Sequence, residues 1–133
     1  MRVTLDTNVN VSALEFGGIG ARLLGMASTG KIRLDVSTAI LDELIGVLRD
    51  DFNWQGYRLH FAKSELARLG NLVAPTVTLA VTTDPDDNRI LECAVASGSE
   101  FIVTKDKHLL RLVEYAGIRI ETPGQFLEIA KER

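Results

Sequence analysis

Acidic residues at four separated positions of this chain are placed where a metal-dependent site can form. Asp6 directly follows the strand-like run VTL, and Asp106 follows the strand-like run FIVT after one lysine. In an open parallel α/β sheet, the ligand crevice lies outside the carboxyl ends of the strands. Both aspartates should therefore reach the same edge of one sheet. Each also has a purely structural explanation, because Asp is common in turns and at helix N-caps.

Glu43 lies at the margin of an apolar helical stripe. In STAILDELIGVL, apolar side chains recur at helical spacing over residues 40–48, and Asp42 falls on the opposite, solvated side. A carboxylate at the edge of a core needs a partner, because burying an unpaired charge is costly. That partner is either a metal ion or a basic residue from another segment, unless the side chain extends outward into water.

The segment TTDPDDNRILECA contains a cluster of aspartates. Asp84 suits the N-cap of a helix, and acidic residues in a first turn interact favourably with the helix dipole, which alone explains such a cluster. Asp86 should point to solvent. Asp87 begins the helical face that continues with the apolar residues of 90–94, so it is the aspartate directed inward.

Carboxylates that point into one crevice repel one another unless a cation lies between them. Hard divalent cations prefer carboxylate oxygens, and magnesium is the usual choice. Such a metal activates water and stabilises charge on a phosphoryl oxygen. Nucleophilic schemes have less support, because no Ser or Cys lies in a nucleophile-elbow context and His60 and His108 lie in helix-like stretches.

Short apolar runs alternate with longer helical patterns along the chain. Strands are predicted at 3–5, 32–36, 101–104 and 118–122, with a further candidate at 77–81. Helices are predicted at 7–15, 20–29, 38–50, 58–72, 87–97, 107–116 and 123–131. Helices between short apolar strands favour parallel pairing, so we expect a small parallel sheet with helices on both faces.

Composition limits the class of protein. A chain of 133 residues, 46% apolar and 25% charged, suits one soluble domain spanning 1–133. A net charge of −3 argues against a surface that grips nucleic acid throughout. A local basic rim is still possible, with candidates Arg22, Lys31, Lys105, Lys107 and Arg111.

The same sequence indicates a cytoplasmic protein. No apolar run approaches the roughly 18 residues of a membrane span, and the start lacks the basic region of a signal peptide. The single cysteine, Cys93, excludes an internal disulfide and fits a reducing compartment. We expect it to be a packed thiol rather than a nucleophile.

Motifs along nearly the whole chain resemble the PIN domain, a small nuclease domain that is the toxin of many bacterial and archaeal toxin–antitoxin pairs of the VapC type. The matching motifs are LDTNV (5–9), ILDEL (40–44), DPDDNRILECA (84–94), IVTKDKHLL (102–110) and a closing TPGQFLE (122–128). Single motifs of this length are weakly specific, whereas their order and spacing together are specific. Lys105 is one variable point, where related sequences often carry Gly or Arg.

The resemblance implies an αβα sandwich that hydrolyses RNA phosphodiester bonds with Mg²⁺ or Mn²⁺ in an acidic pocket. The family's acidic and supporting positions fall on Asp6, Glu43, Asp87, Asp106, Asn8 and Thr104. It also implies an antitoxin protein that blocks the pocket, and a homodimer. Aromatic residues of a loop at 50–60, namely Phe52, Trp54 and Tyr57, would suit such an interface.

Other functions remain open from the sequence. A non-catalytic RNA- or protein-binding module could keep the same fold. A metal-dependent phosphatase with Asp6 as nucleophile would need a second aspartate two residues later, where Asn8 stands. Metal-dependent RNA cleavage by the pure protein, compared with RNA binding in chelator, separates the nuclease from the binding module.

Overall fold

A computed structural model describes all residues, 1–133. It contains one mixed β-sheet with helices packed on both of its faces. The strands are β1 (Arg2–Leu5), β2 (Arg33–Ser37), β3 (Gly70–Val73), β4 (Phe101–Val103), β5 (Glu114–Tyr115) and β6 (Ile118–Glu121). The helices are α1 (Thr7–Glu15), α2 (Gly18–Ser28), α3 (Thr38–Phe52), α4 (Tyr57–Leu69), α5 (Pro85–Ser97), α6 (Lys107–Leu110) and α7 (Pro123–Lys131).

The sheet has the strand order β3-β2-β1-β4-β6-β5, and only the β5–β6 pair is antiparallel. Alternate side chains of β1 and β4 face opposite layers. Thr4 of β1 contacts Cys93 of α5, whereas Phe101 of β4 packs edge-to-face on Phe126 of α7. Because Phe101 is in register with Val3, it lies on the face opposite to Thr4. The predicted three-layer αβα fold is therefore confirmed, with a sheet that is parallel except for the β5–β6 pair.

The order in which strands are added to the sheet changes direction between β1 and β4, although both strands are parallel. From β1 the chain continues to β2 on one side, and from β4 it continues towards β6 on the other side. The carboxyl ends of β1 and β4 lie next to each other at this switch point, where the Asp6 amide donates to the Val103 carbonyl at 2.9 Å. Open α/β sheets bind ligands at such points.

A core of 29 buried apolar residues fills both sides of the sheet. Central strands covered on both faces are apolar without alternation, as in Phe101, Ile102 and Val103. The apolar stripe predicted for residues 40–48 is buried in α3 at Ile40, Leu41, Leu44 and Leu48. Burial of that stripe fixes the rotation of α3 about its axis and therefore the side on which Glu43 emerges.

Helix ends follow their local chemistry. Thr122 and Gln125 form a capping box at the start of α7, and Gly98 ends α5 in the left-handed conformation. Cys93 is fully buried, and burial raises the pKa of its thiol to about 12, so it is the packed thiol expected from the sequence. No helix is both long and apolar enough to cross a membrane.

Three predicted elements are wrong. Residues 77–81 form no strand and lie in an irregular segment before α5. The helix predicted at 58–72 ends at Leu69, and β3 follows at Gly70, which accommodates the close approach of β2. The helix predicted at 107–116 stops after one turn, because Val113 and Ala116 adopt positive φ and the chain turns into the β5–β6 hairpin.

The aromatic residues of the 50–60 region do not form one exposed surface. Trp54 is 5% exposed, and its indole N–H donates to the Glu15 carboxylate. Phe52 belongs to α3 and packs against Phe16. Of these three residues only Tyr57 is exposed, at 88%, so the sequence argument for a dimer surface at these aromatic residues is wrong for Trp54.

Candidate metal centre

Asp6 and Asp106 are linked by one buried hydroxyl. Asp6 follows β1 as the N-cap of α1, and Asp106 follows β4 as the N-cap of α6. The Thr104 hydroxyl donates to Asp6 Oδ2 at 2.5 Å and accepts from the Asp106 amide at 2.9 Å. Thr104 is completely buried, so this arrangement is protected from competing water. Strand pairing and one hydroxyl therefore fix the two aspartates relative to each other.

Glu43 enters the same region from α3. The Thr7 hydroxyl donates to Glu43 Oε2 at 3.2 Å, and Oε1 has no protein donor. Burial and then the nearby charge of Asp86 raise the pKa of Glu43 to about 7, with smaller contributions from Asp6 and Asp84. The structure therefore places Glu43 within electrostatic reach of both the β1 end and the start of α5.

Asp87 points inward from the first turn of α5 and is 4% exposed. Its Oδ2 atom is buried without any hydrogen-bond partner. Burial is the main cause that raises the pKa of Asp87 to about 6, followed by repulsion from Asp106, Asp84 and Asp6. Burial also raises the pKa of Asp6, against the opposing effect of its bond from Thr104. Electrostatic repulsion therefore links Asp6 with Glu43, Asp87 and Asp106.

None of the four candidates forms an ion pair, and only His108 opposes the rise in the pKa of Asp87 electrostatically. The eight ion pairs of the structure involve other carboxylates. An unpaired buried oxygen on Asp87 and an all-oxygen donor set fit a hard divalent cation such as Mg²⁺ or Mn²⁺. No three acidic, histidine or cysteine side chains form a ready-made ligand shell. Magnesium commonly takes only one or two protein carboxylates and keeps several waters, so the donors present still fit it.

The predicted supporting residues differ in what they do. Thr104 is central to the arrangement, as described above. Asn8 is exposed, its side chain makes no hydrogen bond, and only its backbone amide donates to Asp6 at 3.4 Å. His60 and His108 are exposed on helices.

The predicted basic rim divides into two groups. Lys105 and Lys107 are exposed on either side of Asp106 in the sequence, and Arg111 is exposed at the far end of α6. Arg22 and Lys31 instead line a separate cavity of about 850 Å³ between α2 and α7, together with Met1 at the amino end of β1. Their assignment to the rim is wrong, because a strand's amino and carboxyl ends lie at opposite edges of the sheet.

Sequence reasoning missed Thr7 as the residue that holds Glu43. It also missed the electrostatic influence of two further aspartates. Asp84 was predicted only as a helix cap and Asp86 only as a solvated side chain, although both raise the pKa of Glu43. Asp84 does cap α5, accepting from the Asp86 amide at 2.9 Å, and Asp86 is exposed. The available signal for Thr7 was its position directly after the first aspartate, at the start of a helix that packs against α3.

Comparison with known proteins agrees with the fold and with the family resemblance over residues 2–108. The family model described as PIN domain matches residues 2–108. No curated protein sequence matches the chain. A chain in the crystal structure of VapBC2 from Rickettsia felis, bound to a DNA fragment from their promoter, is similar at a TM-score of 0.60 and 15% identity, covering 92% of this chain and 98% of that chain. The chain belongs to the PIN domain family.

Proposed function

We propose that this protein is an endoribonuclease that depends on Mg²⁺ or Mn²⁺ and hydrolyses RNA phosphodiester bonds. PIN domains are generally nucleases and generally use divalent metal ions. The observation that carries the proposal is a set of uncompensated carboxylates at the switch point of the sheet, with one buried oxygen of Asp87 unpartnered.

Each residue has a distinct part in the proposed reaction. Asp6 and Asp106 hold the metal, directly or through water, because Thr104 fixes both of them. When bound, the metal supplies charge stabilisation on the phosphate and lowers the pKa of water. Glu43, with a pKa of about 7 and a free Oε1 atom, accepts a hydrogen bond or a proton from water near neutral pH. Asp87 orients water from the opposite side of the crevice.

A basic rim beside the acidic centre suits a polyanionic substrate. Lys105 and Lys107 are the exposed sequence neighbours of Asp106, Arg111 is exposed at the other end of α6, and none of the three forms an ion pair. Contacts to phosphates position a strand without reading its sequence. We therefore assign these three cations to binding the RNA backbone on one side of the cleaved bond.

We further propose that the protein is a toxin restrained by an antitoxin, and that it forms a homodimer. The fold of a chain from the VapBC2 complex supports a partner of this kind. Exposed Phe16, Tyr57 and Phe61 offer apolar surface for such contacts. Light scattering of the pure protein over a wide concentration range should show a dimer, and a constant monomer mass would contradict that part of the proposal.

A binding module without turnover is the second candidate. The observation that favours it is the absence of a ready-made shell of three protein ligands. Such a module would bind RNA equally well in chelator and in Mn²⁺ and would leave the RNA intact. The nuclease would instead degrade RNA only when metal is present.

The test compares RNA cleavage by wild type, Asp6→Asn, Asp106→Asn and the control Asp42→Asn. Asp42 is exposed on the solvent side of α3 next to Glu43, so it reports on a charge change outside the crevice. We expect loss of cleavage of 100-fold or more for the first two variants, in line with roughly 10²–10³-fold effects of charge-stabilising groups, and near-normal cleavage for the control. Equal damage by Asp42→Asn in folded protein would show that the site is placed wrongly.

A further inference from the structure

The irregular segment of residues 74–84 lies between β3 and α5 and has no neighbouring strand. Backbone N–H and C=O groups that are partly buried need partners, and here side chains of α5 provide them. Glu92 accepts from the Leu79 amide at 2.8 Å, and Arg89 donates to the Leu79 carbonyl at 3.3 Å. These two residues hold the middle of the segment, away from the acidic crevice.

Asn88 holds the end of the segment nearest to the crevice. Its Oδ1 accepts from the backbone amides of Val81 at 3.0 Å and Thr82 at 2.9 Å, and its Nδ2 donates to the Thr82 carbonyl at 3.0 Å. The Thr82 hydroxyl lies 3.2 Å from Oδ1 and 3.0 Å from the Asp84 carbonyl, and donates to one of them. Asn88 is only 6% exposed, so water does not replace these bonds easily.

We infer that Asn88 is a positioning residue of the acidic crevice: its amide fixes the segment that ends at Asp84 and so sets where Asp87 points. The inference rests on the proposed function. Asp84 is the N-cap of α5, and Asp87 stands in the first turn that this cap begins. A residue that clamps Thr82 to the same turn therefore controls the entry angle of the chain directly before the cap.

The amide group is specifically required by this geometry. Oδ1 faces two N–H groups, whereas Nδ2 faces a carbonyl, so both a donor and an acceptor are needed. Aspartate at this position would place a carboxylate oxygen against the Thr82 carbonyl. Alanine would leave two amides and one carbonyl without partners. Both replacements should release the 81–84 segment, although only aspartate adds negative charge.

Glu92→Ala is the matched control, because it removes a contact to the same segment that is expected to have only a structural role. Glu92 belongs to the same helix, holds the same segment and is similarly buried, but it lies away from the first turn of α5. Its removal should lower thermal stability without affecting the crevice. Removal of the Asn88 amide should affect both.

The experiment measures Mn²⁺ binding to the RNA-free full chain by isothermal titration calorimetry, together with kcat and KM for RNA cleavage. We expect Asn88→Ala to weaken Mn²⁺ binding by about 10-fold or more and to lower kcat with little change in KM, since residues that orient metal ligands typically contribute 10–100-fold. Glu92→Ala should change Mn²⁺ affinity by less than about 2-fold on the same principle. Hydrogen exchange at the Val81 and Thr82 amides should accelerate in Asn88→Ala.

Asn88→Asp tests the inference independently, because aspartate has nearly the same side-chain volume as asparagine. Added negative charge alone would tighten Mn²⁺ binding, whereas loss of positioning weakens it, so weaker binding supports the inference. Mn²⁺ affinity equal to or above that of wild type in both Asn88 variants overturns the inference and leaves the proposed function intact. A wild type that neither binds Mn²⁺ nor cleaves RNA overturns the proposed function, and the inference with it.

Discussion

The metal-free protein should lose stability as the pH rises from about 5 to about 8. The pKa of Glu43 is raised from 4.5 to about 7 and that of Asp87 from 3.8 to about 6. A carboxyl group with a higher pKa in the folded protein than in the unfolded chain binds its proton more tightly when folded. Its contribution to stability is therefore complete below the unfolded pKa near 4 and is lost as the pH rises through 6 and 7.

The size of this loss follows from the same two residues. One pKa unit corresponds to about 1.4 kcal/mol, so the two shifts at face value amount to several kcal/mol. The acidic residues raise one another's pKa, so part of the repulsion is counted twice, and Glu43 is partly exposed to screening water. We expect a net loss of about 2 kcal/mol in the free energy of unfolding. For a chain of this length that lowers Tm by roughly 8 °C.

The assay is thermal unfolding in chelator at several pH values for wild type and the double variant Glu43→Gln, Asp87→Asn. Wild-type Tm should fall towards pH 8, and the variant should show a much flatter profile. Saturating Mg²⁺ should restore wild-type stability at pH 8, because a ligand that binds only the folded state stabilises it. A wild-type profile that is flat or rises with pH would refute the reasoning.

Three further substitutions test single contacts. Asp6→Asn should raise the Tm of the metal-free protein by a few degrees, because it removes a buried carboxylate charge and its repulsion with Asp106. It should also abolish the Mn²⁺-dependent rise in Tm, and a lower metal-free Tm would contradict this prediction. Thr104→Val should lower the free energy of unfolding in urea by about 1–3 kcal/mol, because Asp6 and the Asp106 amide both lose a buried hydrogen-bond partner. The same substitution should weaken Mn²⁺ binding. Unchanged values in both measurements would show that the hydroxyl is dispensable. Gly70→Ala should lower the free energy of unfolding by about 1–3 kcal/mol, because the added Cβ would lie 2.7 Å from Val36 Cγ1 and 2.9 Å from the Leu66 carbonyl oxygen. Unfolding at the same urea concentration as wild type would show that the neighbouring residues move apart at no cost.

Local chemistry made much of the fold predictable. Helix caps at Asp84 and Thr122 and the left-handed Gly98 are determined by a few neighbouring residues, and the structure has all of them. The apolar stripe of α3 likewise fixed the inward placement of its core residues and the outward placement of Asp42. The sheet-edge rule then placed Asp6 and Asp106 together without any knowledge of strand order.

Interactions between distant segments explain what was missed. The strand β3 pairs with β2, with Gly70 in register with Leu34 and close to the side chain of Val36, a pairing that residues 58–72 alone do not reveal. Residues 77–81 have the composition of a strand, but their amides are satisfied by α5 side chains such as Glu92. In the same way, the partner of Glu43 is the hydroxyl of Thr7 on another helix.

The structural role and the proposed function of the acidic residues are compatible in this molecule. Asp6, Asp84 and Asp106 are each the N-cap of a helix, and all three repel Asp87 electrostatically. Free N–H groups at these helix starts donate to the aspartates, and longer helices such as α1 and α5 add the positive end of their dipoles, each worth about 0.3–1 kcal/mol. The helix starts therefore offset part of the repulsion that no ion pair relieves. A fold that gathers helix N-termini at a switch point can hold a cluster of carboxylates before any cation binds, so the capping role of these aspartates is what makes the acidic crevice possible.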